Sequence, residues 1–440
     1  MKRKSKVEDV PSGSATKRGL RMAAMTAGVT SSYLGYLAQS AFLGEEGRSR
    51  KLSATHTKAA KRLTDGLATL RGPAMKLGQA LSLQTGVLPD EALAELATLQ
   101  MSAPAMHGSL VRAQFKSSLG RAPEEVFRSF EPEPFAAASL GQVHHAVTKK
   151  GETVVVKIQY PGIRDAIAGD FRWFRALNTG SQMSRLIPEP LVGELEVQIM
   201  AETDYVREAD DIDFFRERLS DTDWVTVPRV WRDLSTDRVL TMSLVPGEHL
   251  EQYLAHNPPQ KERDLLGARL LDLFYRQVLS FGTFHCDPHW GNYLFSGGAQ
   301  IGLVDFGAVK RLTPEFVANL RAVFLYPGDR KGPEFEALMA ARYAPKGVKL
   351  TKKALAALSK FSEGFYGRVY PPEPEKEGTP IDFSDVSILR DYMSQSHNML
   401  HSKVGLPEYI MLARAETGLY QTLHRLKARV HTSRIVRQYL

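Results

Sequence analysis

One pattern constrains this chain more than any other: "HCDPHWGN" (His285–Asn292), then "YLFSGGAQIGL", then "VDFG" ending at Gly307. The two apolar runs flanking "SGGA" have the alternation and turn residues of a β-hairpin. A hairpin there brings Asn292 and Asp305 to the same end, so a chain built on it must converge two separated polar segments on one point. Two histidines, an aspartate, an asparagine and the lone cysteine, Cys286, within eight positions leave three chemistries open: a metal site, a nucleophile site and a phosphate-transfer site.

Spacing favours the third. Asp287 followed five positions on by Asn292, and then by Asp305-Phe306-Gly307, has the spacing of a kinase catalytic loop and magnesium-binding turn. Oxygen ligands suit a hard Mg²⁺ ion, an aspartate accepts a hydroxyl or water proton, and an asparagine ligates metal without adding charge. His285 and His289 have the i, i+4 spacing of a helical zinc pair, but Pro288 inside it opposes that helix. They are read instead as local hydrogen-bonding or packing residues.

An ATP site also needs a cation for the phosphates. Lys157 ends the short β-branched run "VVVK" on the same strand face as Val155, as expected of the strand lysine that contacts α- and β-phosphates. Standing alone, it would read as an edge-strand lysine. Its carboxylate partner is sought in "ETDYVREA", where Leu191 to Leu219 reads as one long helix. Asp204 and Glu208 then lie one turn apart on one face and Glu202 elsewhere, which makes Glu208 the choice. Where a glycine-rich phosphate loop should precede the lysine strand, the chain has Ala136, Ala137, Ala138 and Ser139, with Gly141 the only glycine. Alanine narrows the allowed backbone and blocks closest approach, so a different nucleotide pose is expected.

The remaining chain supplies context. A 440-residue chain with 43% hydrophobic residues has material for two or three buried cores, and one cysteine excludes an intramolecular disulfide and a Cys-rich zinc module. A net charge of +8, spread over many segments, reads first as diffuse solubility charge and second as an invitation to an anionic partner. Basic residues without interleaved aromatics do not form a nucleic-acid module, so no nucleic acid is expected. Met22 to Leu43 is uncharged and long enough to cross a bilayer, yet rich in Ala, Ser, Thr and Gly, with Ala27, Ser31 and Gly35 at spacing four; a packed or interfacial helix suits it better than a spanning one. Leu63, Leu67 and Leu70 mark a helix that Gly72-Pro73 interrupts, and Pro89-Asp90 starts another.

"KLGQ" (Lys76–Gln79), "AAASLGQVH", "VVVKIQYPG", "ETDYVREA", "HCDPHWGN" and "LVDFG" occur in the order seen in the UbiB-like atypical kinases, also called AarF-domain or ADCK-like kinases. The chain resembles that family from about Lys61 to its C-terminus, and most closely its coenzyme Q biosynthesis branch. The resemblance implies an α+β, bilobal protein-kinase-like fold with an N-terminal helical extension laid over the active site. It implies that Lys76 and Gln79 reach the nucleotide pocket and that Glu202 and Asp204 support the extension. Because the extension fills space where a protein substrate docks, ATP hydrolysis or an unconventional acceptor is favoured over ordinary protein phosphorylation.

Departures from the family pattern are Cys286 and Trp290, where many bacterial members read "HADPHPGN", and Asp211 in place of a frequent asparagine. A second apolar C-terminal segment found in some relatives is absent, which leaves membrane attachment to the N-terminal extension. The expected organisation is a basic, small-residue segment at 1–60, the extension at 61–112, a kinase-like N-lobe at 113–246 and a mainly helical C-lobe at 247–440. The expected function is a Mg²⁺-dependent ATPase or atypical kinase supporting ubiquinone or isoprenoid-lipid metabolism. Its roles are Lys157 on phosphate, Glu208 orienting Lys157, Asp287 positioning the nucleophile, and Asn292 and Asp305 on Mg²⁺. Expected partners are ATP, a quinone-like lipid, quinone-biosynthesis enzymes and an anionic membrane surface, with a cytoplasmic, peripheral location on a membrane's inner face. A protein kinase acting in trans and a nucleotide-gated lipid-binding scaffold are the alternatives.

Overall fold

The structure, a computed structural model, describes residues 44–70, 106–138, 140–178, 189–287, 290–326, 332–343, 350–370, 379–401 and 407–440, with a few positions between 27 and 40. Lys76, Gln79, Ser139, His289 and the helix expected from Pro89 lie outside the described residues. The chain divides into two compact units, one of residues 1–210 and 229–244, the other of residues 211–228 and 245–440. The first expected lobe thus gives up Asp211–Pro228 to the second unit.

The first unit contains α1 (Glu45–Leu70), α2 (Gly108–Leu119), α3 (Pro123–Val126), β1 (Phe127–Phe130), β2 (Ala136–Ala138), β3 (Gly141–Thr148) and β4 (Thr153–Gln159). After these come α4 (Ile163–Asn178), α5 (Glu189–Ala201) and α6 (Tyr205–Arg218), the last crossing the division at Asp210. The next strand, β5 (Val225–Thr226), belongs to the second unit, and β6 (Val239–Ser243) returns to the first. The sheet runs β1-β3-β4-β6 with β2 on β3, all antiparallel. The "KKGE" turn joins β3 and β4 as expected, with Gly151 at φ 88° taking the left-handed conformation glycine allows. Val154, Val156 and Ile158 of β4 are fully buried with Phe115, Phe127, Ile167, Phe171, Val192 and Leu195. Pairing with β3 on one side and β6 on the other makes β4 an interior strand, so the edge-strand reading of Lys157 does not apply.

One expectation is corrected. Leu191 to Leu219 is not a single helix: α5 stops at Ala201 and α6 starts at Tyr205. The Thr203 hydroxyl donates to the Met200 carbonyl, while Asp204 Oδ1 accepts from the backbone N–H groups of Val206 and Arg207 at 3.1 and 3.2 Å. A side chain that satisfies the orphan donors of a new first turn starts a new helix, and Asp204 is therefore a cap and not a member of the Glu208 face.

In the second unit follow α7 (Leu250–Ala255), α8 (Gln260–Tyr275), β7 (Thr283–His285), β8 (Tyr293–Ser296), β9 (Gln300–Leu303), β10 (Val309–Arg311), α9 (Pro314–Leu325), α10 (Pro333–Tyr343) and α11 (Lys352–Phe361). Then come β11 (Ile381–Asp382), α12 (Val386–His401), α13 (Pro407–Leu426) and β12 (Arg429–Val430). A π-helical turn, Arg276–Phe281, extends α8. The expected hairpin forms as β8 and β9, paired from Tyr293↔Leu303 to Ser296↔Gln300. Strand β5 adds to β9 in parallel, and β7 pairs with β10. Gly302 sits against Val245, and a Cβ there would overlap its side chain. Among the described residues no helix is long and apolar enough to cross a membrane.

Candidate active site

In the first unit the site begins with a lysine on an apolar strand. Lys157 lies in register with Val143 on one neighbour and Leu240 on the other, and is 7% exposed. A buried ammonium without a counter-ion is strongly disfavoured. Glu208, 2% exposed on α6, supplies the charge: Lys157 Nζ donates to Glu208 Oε1 at 2.7 Å and Oε2 at 2.8 Å. The ammonium also lies 5.0 Å from the Tyr205 ring centroid, an added cation–π attraction. Lys157 and Glu208, far apart in the chain, are brought together as the sequence spacing anticipated.

The alanine run takes a defined place beside this pair. Ala136, Ala137 and Ala138 form β2, opposite Val143, Gln142 and Gly141 of β3. Gly141 is obligatory here: a Cβ would overlap the Ile158 carbonyl oxygen of β4 and meet the Tyr205 hydroxyl. Beneath β2 runs a buried polar chain. Gln142 Oε1 accepts from the Met106 N–H, its amide nitrogen donates to His144 Nε2 at 2.9 Å, and His144 Nδ1 donates to the Glu131 carbonyl. Burial holds the His144 imidazole below its ordinary value, against the opposing pull of the Glu131 carbonyl and the Glu133 charge. Glu202 precedes the α5–α6 break and Asp204 caps α6, so these two residues lie at a joint, with Gln159 Nε2 bonded to the Thr203 carbonyl between them.

In the second unit the polar constellation hangs from β7 and β8. The His285 N–H donates to Gln277 Oε1, and the Cys286 N–H and thiol both donate to the Ala308 carbonyl. Cys286 is 3% exposed, and a buried thiol spent on a carbonyl is a packing residue rather than a nucleophile. Asn292 closes a short 3₁₀ turn and donates from Nδ2 to Asp287 Oδ2 at 2.8 Å. Its carbonyl accepts the Val304 N–H, which ties it to the residue before Asp305. Asp305 Oδ1 accepts the Gly307 N–H at 3.0 Å. Thus Asp287, Asn292 and Asp305 belong to one backbone-linked cluster.

Further residues complete this cluster, beginning with His285, whose expected role in local hydrogen bonding is borne out. His285 Nε2 donates to the Asp305 carbonyl, which fixes the tautomer because a carbonyl only accepts. Phe306, 1% exposed, packs 5.5 Å from Phe215 of α6 and 5.9 Å from the His285 ring. Arg311 of β10 pairs with the buried Asp211 of α6 at 2.6 Å, giving the acid that replaces the family asparagine a definite partner. Burial, then the nearby Asp287 charge, pushes the Tyr293 hydroxyl well above its ordinary range, so it stays protonated. Arg414 of α13 brings Nη2 to 4.0 Å from Asp287 Oδ1, with only 9% of its side chain exposed. A hollow lined by His285, Asp287, Tyr293, Leu270, Phe274 and Leu419 opens beside the aspartate. No motif marks Arg414, Tyr293 or Phe215; the histidine's place before the aspartate was the one available signal for His285. Among the described residues no His, Cys, Asp and Glu side chains cluster as a protein-only metal cage.

Known proteins resemble this chain. Residues 98–331 match the ABC1 atypical kinase-like domain. The mitochondrial atypical kinase COQ8 of Saccharomyces cerevisiae is 28% identical over 386 residues, 86% of this chain and 75% of that protein. The mitochondrial atypical kinase COQ8B of Rattus norvegicus is 36% identical over 264 residues, 58% of this chain. The probable serine/threonine-protein kinase abkA of Dictyostelium discoideum is 30% identical over 339 residues, 72% of this chain. The chain spans about half the length of the rat protein (49%) and 59% of the Dictyostelium one. A solved structure, the Rv3197–erythromycin complex from Mycobacterium tuberculosis, superposes with a TM-score of 0.60 at 25% identity, covering 90% of this chain and 98% of that one.

Proposed function

Because the chain belongs to the ABC1 atypical kinase-like family, the UbiB-like group that its motif order resembles, we propose that it transfers the γ-phosphoryl group of ATP with Mg²⁺. Water or a small lipid-pathway molecule is the acceptor, in support of coenzyme Q or related isoprenoid-lipid metabolism. The observation that carries this reading is the buried Lys157–Glu208 ion pair on an interior strand. Desolvating two charges costs several kcal/mol per ion and an apolar pair would pack there as well. Retaining a cation at that place therefore points to a use for it, and holding α- and β-phosphates is the use its strand position fits.

The oxygen donors fit magnesium. Asn292 commits its amide nitrogen to Asp287, so its oxygen is the end presented to a cation, and Asp305 adds a carboxylate; both are hard donors of the type Mg²⁺ takes. When bound, the ion neutralises charge on the phosphate oxygens. Asp287 accepts the proton of the attacking hydroxyl or water, and Glu208 holds Lys157 in place. Ala136–Ala138, paired as β2 with β3, and Ser139 are assigned to phosphate through backbone N–H groups, and Lys76, Gln79, Glu202 and Asp204 to shaping access. The names of the yeast and rat relatives support the coenzyme Q assignment, and a basic chain suits work at an anionic membrane surface.

The test is nucleotide binding and product analysis on the purified chain. Mg²⁺-ATP should bind, and Lys157→Met should weaken binding at least about tenfold, a loss of about 1.4 kcal/mol. Equal binding by that variant would sink the assignment of Lys157. ADP with stoichiometric free phosphate supports water as acceptor, and label retained on an added protein supports transfer in trans. Nucleotide-driven liposome binding without ADP formation supports the scaffold reading instead.

A further inference from the structure

The charge balance around Asp287 is incomplete within its own segment. The stretch Phe284–Asn292 contains neither lysine nor arginine, and Cys286 stands where a kinase loop of the H-R-D type has arginine. Asp287 and Asp305 are both carboxylates, and a phosphoryl group brought to them adds further negative charge. A site of this kind needs a cation fixed where charge develops in the transition state.

The second unit supplies one from α13. Arg414 Nη2 faces Asp287 Oδ1 at 4.0 Å, while the other carboxylate oxygen, Oδ2, is taken by Asn292. At 4.0 Å the guanidinium and the carboxylate form a long ion pair with no hydrogen bond between Nη2 and Oδ1, beside the hollow that Asp287 lines. The backbone that presents Arg414 is clamped. The Ala413 carbonyl accepts hydrogen bonds from the Tyr392 hydroxyl at 3.0 Å and the Thr417 hydroxyl at 2.7 Å. Two residues beyond Arg414, the 2% exposed Glu416 lies 2.9 Å from the same Tyr392 hydroxyl, whose one proton the carbonyl and the carboxylate share. An arginine whose helix is held this firmly, with its side chain 9% exposed, is preorganised rather than a snorkelling surface cation.

We infer that Arg414 is a further catalytic residue of the phosphoryl-transfer site, a cation delivered from α13 to the oxygens of the transferring group beside Asp287. The inference rests on the proposed ATP chemistry. In the step, the acceptor oxygen forms a bond to the γ-phosphorus as the bond from that phosphorus to the β–γ bridging oxygen breaks. ADP departs with that electron pair, and the acceptor's proton passes to Asp287. Arg414 stays protonated throughout and donates to oxygens whose charge is redistributed as the phosphoryl group moves.

The experiment compares steady-state Mg²⁺-ATP turnover by the full chain and by Arg414→Lys, Arg414→Gln, Arg414→Ala and Asp305→Asn. Arg414→Gln should lose about a hundredfold in kcat with KM for ATP unchanged. Arg414→Lys should keep much of the rate, and methylguanidine added to Arg414→Ala should restore part of it. Wild-type kcat in Arg414→Gln beside an inactive Asp305→Asn overturns the role of Arg414 and leaves the ATP reading standing. Equal loss in all three Arg414 variants without methylguanidine rescue also overturns it, because that is the behaviour of a purely structural arginine. Turnover undiminished in Asp305→Asn overturns the ATP reading itself.

Discussion

Removing Glu208 separates what the buried ion pair does for the fold from what it does for chemistry. At 2.7 Å and an effective dielectric of about 20, the gross attraction of the Lys157 and Glu208 charges is about 6 kcal/mol. Burial to 8% and 1% side-chain exposure offsets it by several kcal/mol per ion, leaving a net contribution to folding near zero. Glu208→Leu alone strands an ammonium on an apolar strand and should cost about 3–5 kcal/mol. Adding Lys157→Met removes the stranded charge and should recover most of that loss. Urea denaturation followed by fluorescence reads the free energies, and ATP turnover is measured on the same samples. The double variant should be near wild type in stability and without ATPase activity. A double variant as unstable as the two single losses added together would show instead that the pair is a net structural asset.

Gly141→Ala places a methyl group on the Ile158 carbonyl and against Tyr205. It should lower unfolding free energy by about 1–3 kcal/mol in denaturant titrations, while Gly151→Ala, at an open turn, strains only the turn. His144 gives a pH effect of definite sign. Its folded-state pKa is depressed below 6.5 by burial, so the unfolded chain protonates first. The stability it contributes is fully present above pH 6.5 and falls as pH drops below that toward the folded value. Melting temperatures between pH 7.5 and 5 should decline, and His144→Gln should flatten that part of the slope.

Much of the site was readable because its signals are local. The "SGGA" turn between two alternating runs sufficed to place Asn292 and Asp305 at one hairpin end, and β8–β9 pairing bears this out. The strand around Lys157 announced itself through β-branched residues and the flanking Gly151 and Pro161-Gly162. Glu208 was legible because "ETDYVREA" lies in a helical pattern. The same segment misled about Asp204: apolar recurrence runs on across Glu202–Asp204, and the stop comes from side-chain hydrogen bonds that compete with the helix at Thr203 and Asp204. Other contacts had no local signal. Asp211 meets Arg311, Phe215 meets Phe306 and Asp287 meets Arg414 through packing of elements distant in the chain. Side chains that meet only through tertiary packing leave no period or motif in one sequence.

Asp305, set by the β8–β9 hairpin and by His285, is proposed to work with Mg²⁺ in moving a phosphoryl group from ATP. The most direct measurement is the rate of ADP formation by the purified full chain with and without Mg²⁺, beside Asp305→Asn. The wild type should form ADP slowly and only with Mg²⁺, and Asp305→Asn should form none, with its melting temperature unchanged. Undiminished turnover in a folded Asp305→Asn variant, or equal turnover in the absence of any divalent cation, would contradict it.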